Sequence, residues 1–473
     1  MSAFAAVDLG ATSGRVIVGS VDDGRLRART IARFANEPVW LGAGLHWNIA
    51  ELYRQVLSGL GAAERDAPGE IRSAGIDSWA VDYGLLRDGR VLGIPFHYRD
   101  ARTAAGVRAV HDLVSPEELY ARNGLQHLSF NTVFQLATEG EVLAVSDRML
   151  LIPDLLHHWL TGADVAERTN ASTTGLLGAR TGEWDLALTR RLGIPERLLP
   201  PLVDPGTHLG ELRGAAADLV GRPLSVTAVG SHDTASAVVA VPSARRDFAF
   251  VSCGTWGLVG LELDDPVVAE DARVAGFTNE AGVDGRVRFL HNVMGLWVLS
   301  ESLRHWHPHA SEGERAGVLQ QLLADAAQVS CDTAVVDVDD PVFLPPGDMP
   351  GRIAAWCAER GEPVPGSRAE FVRTIIESLA DAFARSVARA AELADREVSV
   401  IHIVGGGSQN ALLCQSLADR SGLRVQAGPV EATAMGNLLV QARVAGQIFG
   451  DLADLRRVVA ASADIVDYTP RGA

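Results

Sequence analysis

A strand, a tight turn of small residues and a second strand open the chain, and the same order returns just past its middle. Ala3 to Val7 is apolar, Asp8-Leu9-Gly10-Ala11-Thr12-Ser13-Gly14 has turn composition, and Arg15 to Val21 is rich in β-branched residues. Asp22-Asp23-Gly24 then turns the chain toward a third apolar stretch, Leu26 to Phe34. The repeat reads Phe248 to Ser252, Cys253-Gly254-Thr255-Trp256-Gly257, then Leu258 to Leu263, again followed by acidic residues. This is a meander, not a strand–helix–strand unit, and it starts two separate bodies. A chain of 473 residues exceeds what one core serves, and its length suggests about two or three domains. Helical periodicity at Ile49 to Ala63 and Phe371 to Ala394, with an apolar strand at Ile71 to Ile76, fills the intervals. A third strand–turn unit comes late: Val398 to Val404, then Gly405-Gly406-Gly407-Ser408-Gln409-Asn410, then a helix over Ala411 to Arg420. The apolar pattern breaks at Pro242 to Arg246, so the expected domains are 1–241 and 242–473. The expected architecture is α/β, with two mixed-sheet domains flanking a cleft, a favoured place for ligands.

One absence excludes whole classes of function. No lysine occurs, so all 42 basic residues are arginine. A Walker P-loop, a protein-kinase ATP lysine and a Schiff-base lysine each need an amine this chain lacks. The formal charge of −17 disfavours nucleic acid, which is gripped through basic side chains. With 47% hydrophobic and 21% charged residues, the composition is that of a soluble globular enzyme. Cys253, Cys331, Cys357 and Cys414 form no Cys-x-x-Cys pair, which fits a reducing cytosol. The start, Met1-Ser2-Ala3-Phe4, has no export signal, and no run is apolar enough to span a bilayer, so no membrane partner is expected.

The turns carry what phosphate binding needs. In the first, small residues and hydroxyls at Ala11, Thr12, Ser13 and Gly14 allow close approach, Arg15 supplies a cation, and Asp8 is placed to hold Mg²⁺ through water. A hairpin with polar caps has the same composition. Gly254 and Thr255 offer backbone N–H groups and a hydroxyl to other phosphates. Gly405, Gly406 and Gly407 let a nucleotide lie against the main chain, with Asn410 where a helix begins; an ordinary strand-to-helix turn reads the same way. Asp233 follows the apolar run Leu224 to Val229 and precedes a helical stretch, Thr234 to Val241. It suits a helix start, where dipole and N–H groups favour its ionised form, and equally a general base.

Taken in order, Val7-Asp8-Leu9-Gly10-Ala11-Thr12-Ser13-Gly14-Arg15, Gly75-Ile76-Asp77-Ser78-Trp79, Tyr98-Arg99-Asp100, Ser231-His232-Asp233-Thr234-Ala235-Ser236, Asn292-Val293-Met294-Gly295-Leu296-Trp297 and Gly405-Gly406-Gly407-Ser408-Gln409-Asn410 resemble the FGGY carbohydrate kinase family over nearly the whole chain. The resemblance implies the two-domain actin-like ATPase (ribonuclease H-like) fold and ATP-dependent, Mg²⁺-assisted phosphorylation of a sugar. Within the family the pattern is that of members acting on the C1 hydroxyl of L-rhamnulose; L-fuculose, D-xylulose or another ketose or polyol is the alternative acceptor. It implies Asp233 as catalytic base and Asp77, Trp79, Ala80, Asp82, His232, Thr234 and Asn292 as sugar neighbours, on the amino-terminal side. ATP contacts are implied for Ala11 to Arg15, Gly254, Thr255, Ser300, Gly405 to Gly407 and Asn410. The residues alone leave a strand end with a half-buried Trp79, and a helix cap at Asn292 before a helix over Val293 to His305. Ala80 stands where relatives commonly have Gly, and Ser300 where they have Gln. A nucleotide-driven binding or regulatory module of the same fold is the rival class, and the expected assembly is a monomer or homodimer. His305-Trp306-His307-Pro308-His309 reads as a solvated helix end, since Pro308 breaks the spacing a metal pair needs.

Overall fold

The computed structural model describes residues 2–42, 44–243, 245–330 and 332–471; Cys331 lies outside them. The first sheet contains β1 (Ala3–Leu9), β2 (Ser13–Asp22), β3 (Arg25–Ala35), β4 (Ile71–Ser78), β5 (His208–Glu211) and β6 (Ser225–Thr227), in the order β5-β6-β4-β1-β2-β3. The opening meander is antiparallel, β1 to β2 to β3, whereas β1–β4 and β4–β6 are parallel. The sheet is mixed for that reason.

All seven residues of β1 are buried, which follows from cover on both faces. Helix α1 (Ile49–Asp66) buries Leu52, Val56, Leu60 and Ala63, a helical stripe, in one core with Ala5, Val7 and Leu9. The opposite face carries Ala6 and its register partner Gly75. A Cβ on Gly75 would meet Asn437 and Gln441, so the helix bearing those residues lies on that side. Helix α2 (Asp233–Val239) follows β6.

The second sheet contains β7 (Phe248–Cys253), β8 (Gly257–Leu263), β9 (Thr278–Ala281), β10 (Val287–Val293), β11 (Val400–Val404), β12 (Arg424–Ala427) and β13 (Val466–Tyr468), in the order β9-β10-β8-β7-β11-β12-β13. Its plan repeats the first: an antiparallel hairpin, β7 and β8, with β11 and β12 added in parallel. Among the helices of this part of the chain are α3 (Trp297–Trp306), α4 (Arg368–Ala394), which Ser367 caps at its start, and α5 (Ala411–Ser421). Helix α6 (Ala432–Val444) carries Asn437 and Gln441. The helix expected from Val293 begins only at Trp297, because residues 287–293 form β10.

Compactness divides the chain into Met1–Ala244 with Glu262–Phe289 and Ala432–Ala463, and Arg245–Leu261 with Leu290–Glu431 and Asp464–Ala473. This differs from a single cut at 241/242, since two later segments return to the first unit. Cys253, Cys357 and Cys414 are free and buried. No described helix is long and apolar enough to cross a membrane.

Within the first unit α6 packs directly on α2. A Cβ at Gly436 would overlap the Ser236 carbonyl, and a backbone oxygen in a helix cannot swing aside. Gly436→Ala is expected to lower stability by about 1–3 kcal/mol, the cost of overpacking a tight contact. Urea unfolding checks this; an unchanged midpoint would show that α2 and α6 have room to part.

Candidate active site

Parallel pairing brings three carboxylates to one end of the first sheet. Asp8 and Asp77 are register partners near the carboxyl ends of β1 and β4. Ser78 bridges His232 in parallel, and its N–H donates to Ser231 O at 2.9 Å, which places Asp233 beside them. Asp8 accepts from Arg15 at Oδ2, 2.8 Å from Nε and 2.7 Å from Nη2. The expected phosphate cation is therefore paired with the expected metal carboxylate. Thr12 and Ser13 are exposed in the turn, which is held by Gly10 N–H to Ser13 O and Asn36 N–H to Thr12 O. Gly14 answers to packing, because a Cβ there would overlap the Phe34 ring.

Asp77, an expected sugar neighbour, is buried against helix α6. It is 0% exposed, and its Oδ2 accepts from Asn437 Nδ2 at 2.6 Å while Oδ1 has no partner. Gln441 fixes that amide, donating to Asn437 Oδ1 at 2.7 Å and accepting from Ser73 Oγ at 2.6 Å. Burial pushes the Asp77 carboxyl well above the usual range, and the charge of Asp8 adds to the rise.

Asp233 is the first residue of α2, with His232 as its cap, so its own role is not the N-cap. Oδ1 faces Thr234 N at 2.5 Å, Thr234 Oγ1 at 3.1 Å and His232 Nε2 at 3.4 Å. Oδ2 has none of these contacts, and the side chain is 31% exposed. One oxygen is held and the other is open. Burial raises the Asp233 pKa and outweighs the pull of His232 and of the Thr234 donors, which favour the ionised form as the helix start leads one to expect. A seven-residue helix is a weak counterweight to desolvation.

The side chains of His232 and Thr234, both expected sugar neighbours, approach Asp233. The imidazole is buried, with Nδ1 3.1 Å from Glu280 Oε2 and 3.1 Å from Arg288 Nη2. Behind them Glu167 accepts from Ser231 N at 3.0 Å, Ser231 Oγ at 2.7 Å and Thr169 Oγ1 at 2.5 Å, fixing the loop ahead of α2. Glu167, Glu280 and Arg288 belong to none of the sequence motifs. A lone arginine in the apolar run Val287-Arg288-Phe289-Leu290 was the one available signal.

The loop after β4 is built on Asp82. Its Oδ2 accepts from Trp47 Nε1 at 2.6 Å, Trp79 Nε1 at 3.1 Å and Tyr98 N at 3.1 Å, and Oδ1 accepts from Gln135 Nε2 at 2.8 Å. With four donors and 1% exposure, Asp82 orients the indoles. The rings of Trp47 and Trp79 lie 3.9 Å apart, and Trp79 is itself buried. Asp82 N–H closes a three-residue turn on Ala80 O at 2.9 Å, with Val81 at φ +68°, a strained value for a β-branched residue. The positive φ falls on Val81 and not on Ala80, so a Cβ at 80 costs the turn nothing in φ.

In the second unit the two expected nucleotide turns leave neighbouring strands. Ser252 and Val404 are partners in the parallel pair β7–β11, so Gly254–Thr255 and Gly405–Gly407 emerge side by side at the carboxyl ends, where α/β sheets bind ligands. Gly405 has φ +81°, a Cβ on Gly407 would overlap Cys253, and nothing lies within 4 Å of the Cβ position of Gly406. Asn410 caps α5, accepting from Leu413 N at 3.1 Å. Ser300 is a partly exposed α3 residue, and Asn292 lies inside β10, which removes its helix-cap reading. Among the described residues no group of three or more His, Cys, Asp or Glu has metal-binding geometry.

Residues 3–240 match the FGGY family of carbohydrate kinases, N-terminal domain, and residues 249–445 its C-terminal domain. A rhamnulokinase of Bacteroides thetaiotaomicron is 38% identical over 99% of this chain and 96% of that protein. One from Pectobacterium carotovorum is 41% identical over 98% and 92%. Among solved structures, a ligand-bound xylulose kinase from Lactobacillus acidophilus matches with TM-score 0.80 at 15% identity, over 100% of this chain and 94% of that one. A Plasmodium falciparum glycerol kinase with ADP gives 0.78 at 14% identity, over 100% and 94%.

Burial lifts Asp82 from 3.8 to about 7 even with its four donors. A group whose folded pKa is raised binds more protons in the native state, so its contribution declines as pH rises from the unfolded to the folded value. The stability of the parent chain relative to Asp82→Asn is therefore expected to fall from pH 4 to pH 7, by urea unfolding at each pH. A difference that stays constant or grows across that window would mean Asp82 is ionised throughout.

Proposed function

This chain belongs to the FGGY family of carbohydrate kinases, and from that premise we propose that it transfers the γ-phosphoryl group of ATP to the C1 hydroxyl of L-rhamnulose, with Asp233 as general base. The products are L-rhamnulose 1-phosphate and ADP. The observation that carries the base assignment is the division of labour in its carboxylate: Oδ1 accepts from Thr234 N and Thr234 Oγ1 and lies 3.4 Å from His232 Nε2, whereas Oδ2 has none of these contacts and the side chain is partly exposed. The C1 hydroxyl donates to Oδ2. As the new O–P bond forms and the bond from the γ-phosphorus to the bridging oxygen of ADP breaks, the hydroxyl proton passes to Oδ2. Burial serves this step, because a carboxylate with a raised pKa accepts a proton more readily.

The sugar lies on the first unit and the nucleotide on the second, in keeping with the open backbone at Gly406 and the paired turns at Gly254–Thr255 and Gly405–Gly407. Thr12 and Ser13 supply hydroxyls to the phosphates. Magnesium, bound with the nucleotide, would supply neutralising charge; Asp8, a hard oxygen donor at the end of β1, suits it. L-Rhamnulose is preferred over other ketoses because the relatives named rhamnulokinase match nearly the full chain. The enzyme acts in the reducing cytosol, consistent with its free buried thiols, as a monomer or homodimer.

Asp233→Asn is expected to lower kcat by about 100-fold or more, the usual worth of a general base, with sugar affinity within a few-fold of the parent. Coupled ADP release and calorimetric sugar binding measure the two; near-parental turnover overturns the base assignment. Across L-rhamnulose, L-fuculose and D-xylulose, kcat/KM is expected to be highest for L-rhamnulose. A higher value for either of the others overturns the substrate.

A further inference from the structure

The buried pair behind His232 has a chemical consequence for the proposed base. Arg288 is 0% exposed, with Nη1 2.9 Å from Glu280 Oε2, Nε and Nη2 donating to Ala281 O at 3.1 and 3.0 Å, and Nη2 3.1 Å from His232 Nδ1. A guanidinium has donors and no lone pair to offer. In a hydrogen bond with Arg288, His232 Nδ1 must therefore accept, which puts the ring proton on Nε2. That nitrogen faces Asp233 Oδ1 at 3.4 Å.

Glu280 pulls the other way. Its Oε2 lies 3.1 Å from the same Nδ1 and, left alone, would draw the proton onto that nitrogen. Nε2 would then turn a lone pair toward the Asp233 carboxylate. Arg288 opposes this twice, by donating to Nδ1 and by neutralising Glu280. An isolated buried ion pair is a poor source of stability, since apolar residues of similar size commonly do as well. Next to a histidine that touches a carboxylate, the pair has a use that apolar residues lack.

We propose that Arg288 is a positioning residue that holds His232 as its Nε2–H tautomer, so that this N–H ties down Asp233 Oδ1 and leaves Oδ2 aimed for the sugar hydroxyl. The inference rests on the reading of Asp233 as base. It assigns Glu280 a matching part: its negative charge makes the tautomer depend on Arg288.

The test uses the full chain labelled with ¹⁵N-histidine, the His232 signals being assigned by their loss in His232→Gln. Two-bond ¹H–¹⁵N spectra report which ring nitrogen carries the proton, and steady-state kinetics with L-rhamnulose and ATP run beside them. The parent is expected to show Nε2–H. Arg288→Met is expected to move the proton to Nδ1 and to lower kcat by about 100-fold, as for a misplaced catalytic group, with both KM values within about threefold. The double variant Glu280→Gln with Arg288→Met removes the unpaired charge and offers Nδ1 an amide donor. It is expected to restore the Nε2–H signal and return kcat to within about tenfold of the parent. A purely structural ion pair predicts no tautomer change in either variant. A parent ring protonated on Nδ1, or an Arg288→Met enzyme with parental tautomer and kcat, overturns the proposal. Asp233→Asn is assayed alongside: if it keeps turnover the base reading fails, whereas its loss of turnover with Arg288→Met active sinks the positioning role alone.

Discussion

Parallel pairing of β1, β4 and β6 is the constraint on which the rest of the first unit depends. It sets Asp8 against Asp77 in register and docks Ser78 on the segment that leads to Asp233. Carboxylates gathered at a strand end repel one another and lose hydration, and each here is handled differently. Asp8 is neutralised by Arg15, Asp77 is buried on the Asn437 amide with its pKa well raised, and Asp233 keeps a partly exposed side chain. Three like residues thus acquire three characters from their surroundings.

Support for that arrangement comes from distant parts of the chain. Helix α6 supplies both the amide that holds Asp77 and the glycine that lets α2 pack close, so its return to the first unit is needed for the strand ends to be ordered as they are. Glu167 fixes the loop before α2, and Asp82 sets the indoles of Trp47 and Trp79 from within. Glu167 and Asp82 thereby serve as framework, each held by several donors.

The hairpin openings, the mixed sheets and the glycine turn before α5 were legible because they depend on local rules: β-branched runs, turn residues and a strand-to-helix cap at Asn410. The start of α3 was not. Its first N–H groups bond to backbone oxygens of Gly254 and Thr255, from Leu296 and Trp297, so a tertiary cap did the work a side chain would have announced. Side-chain direction was likewise hidden. The partners of the His232 ring, Glu280 and Arg288, sit on another sheet region with no motif of their own. Asn437 and Gln441 were readable in principle as a polar pair one turn apart on an otherwise apolar helix.

In the proposed mechanism Asp233, made a stronger base by burial, accepts the sugar proton. The pH dependence of kcat/KM addresses it most directly, because a base must be ionised to act and activity falls as pH drops through its pKa. The account predicts an acid limb centred above the ordinary aspartate value of 3.8 that is missing from the residual activity of Asp233→Asn. A limb at or below that value, or one that persists unchanged in the variant, would contradict it.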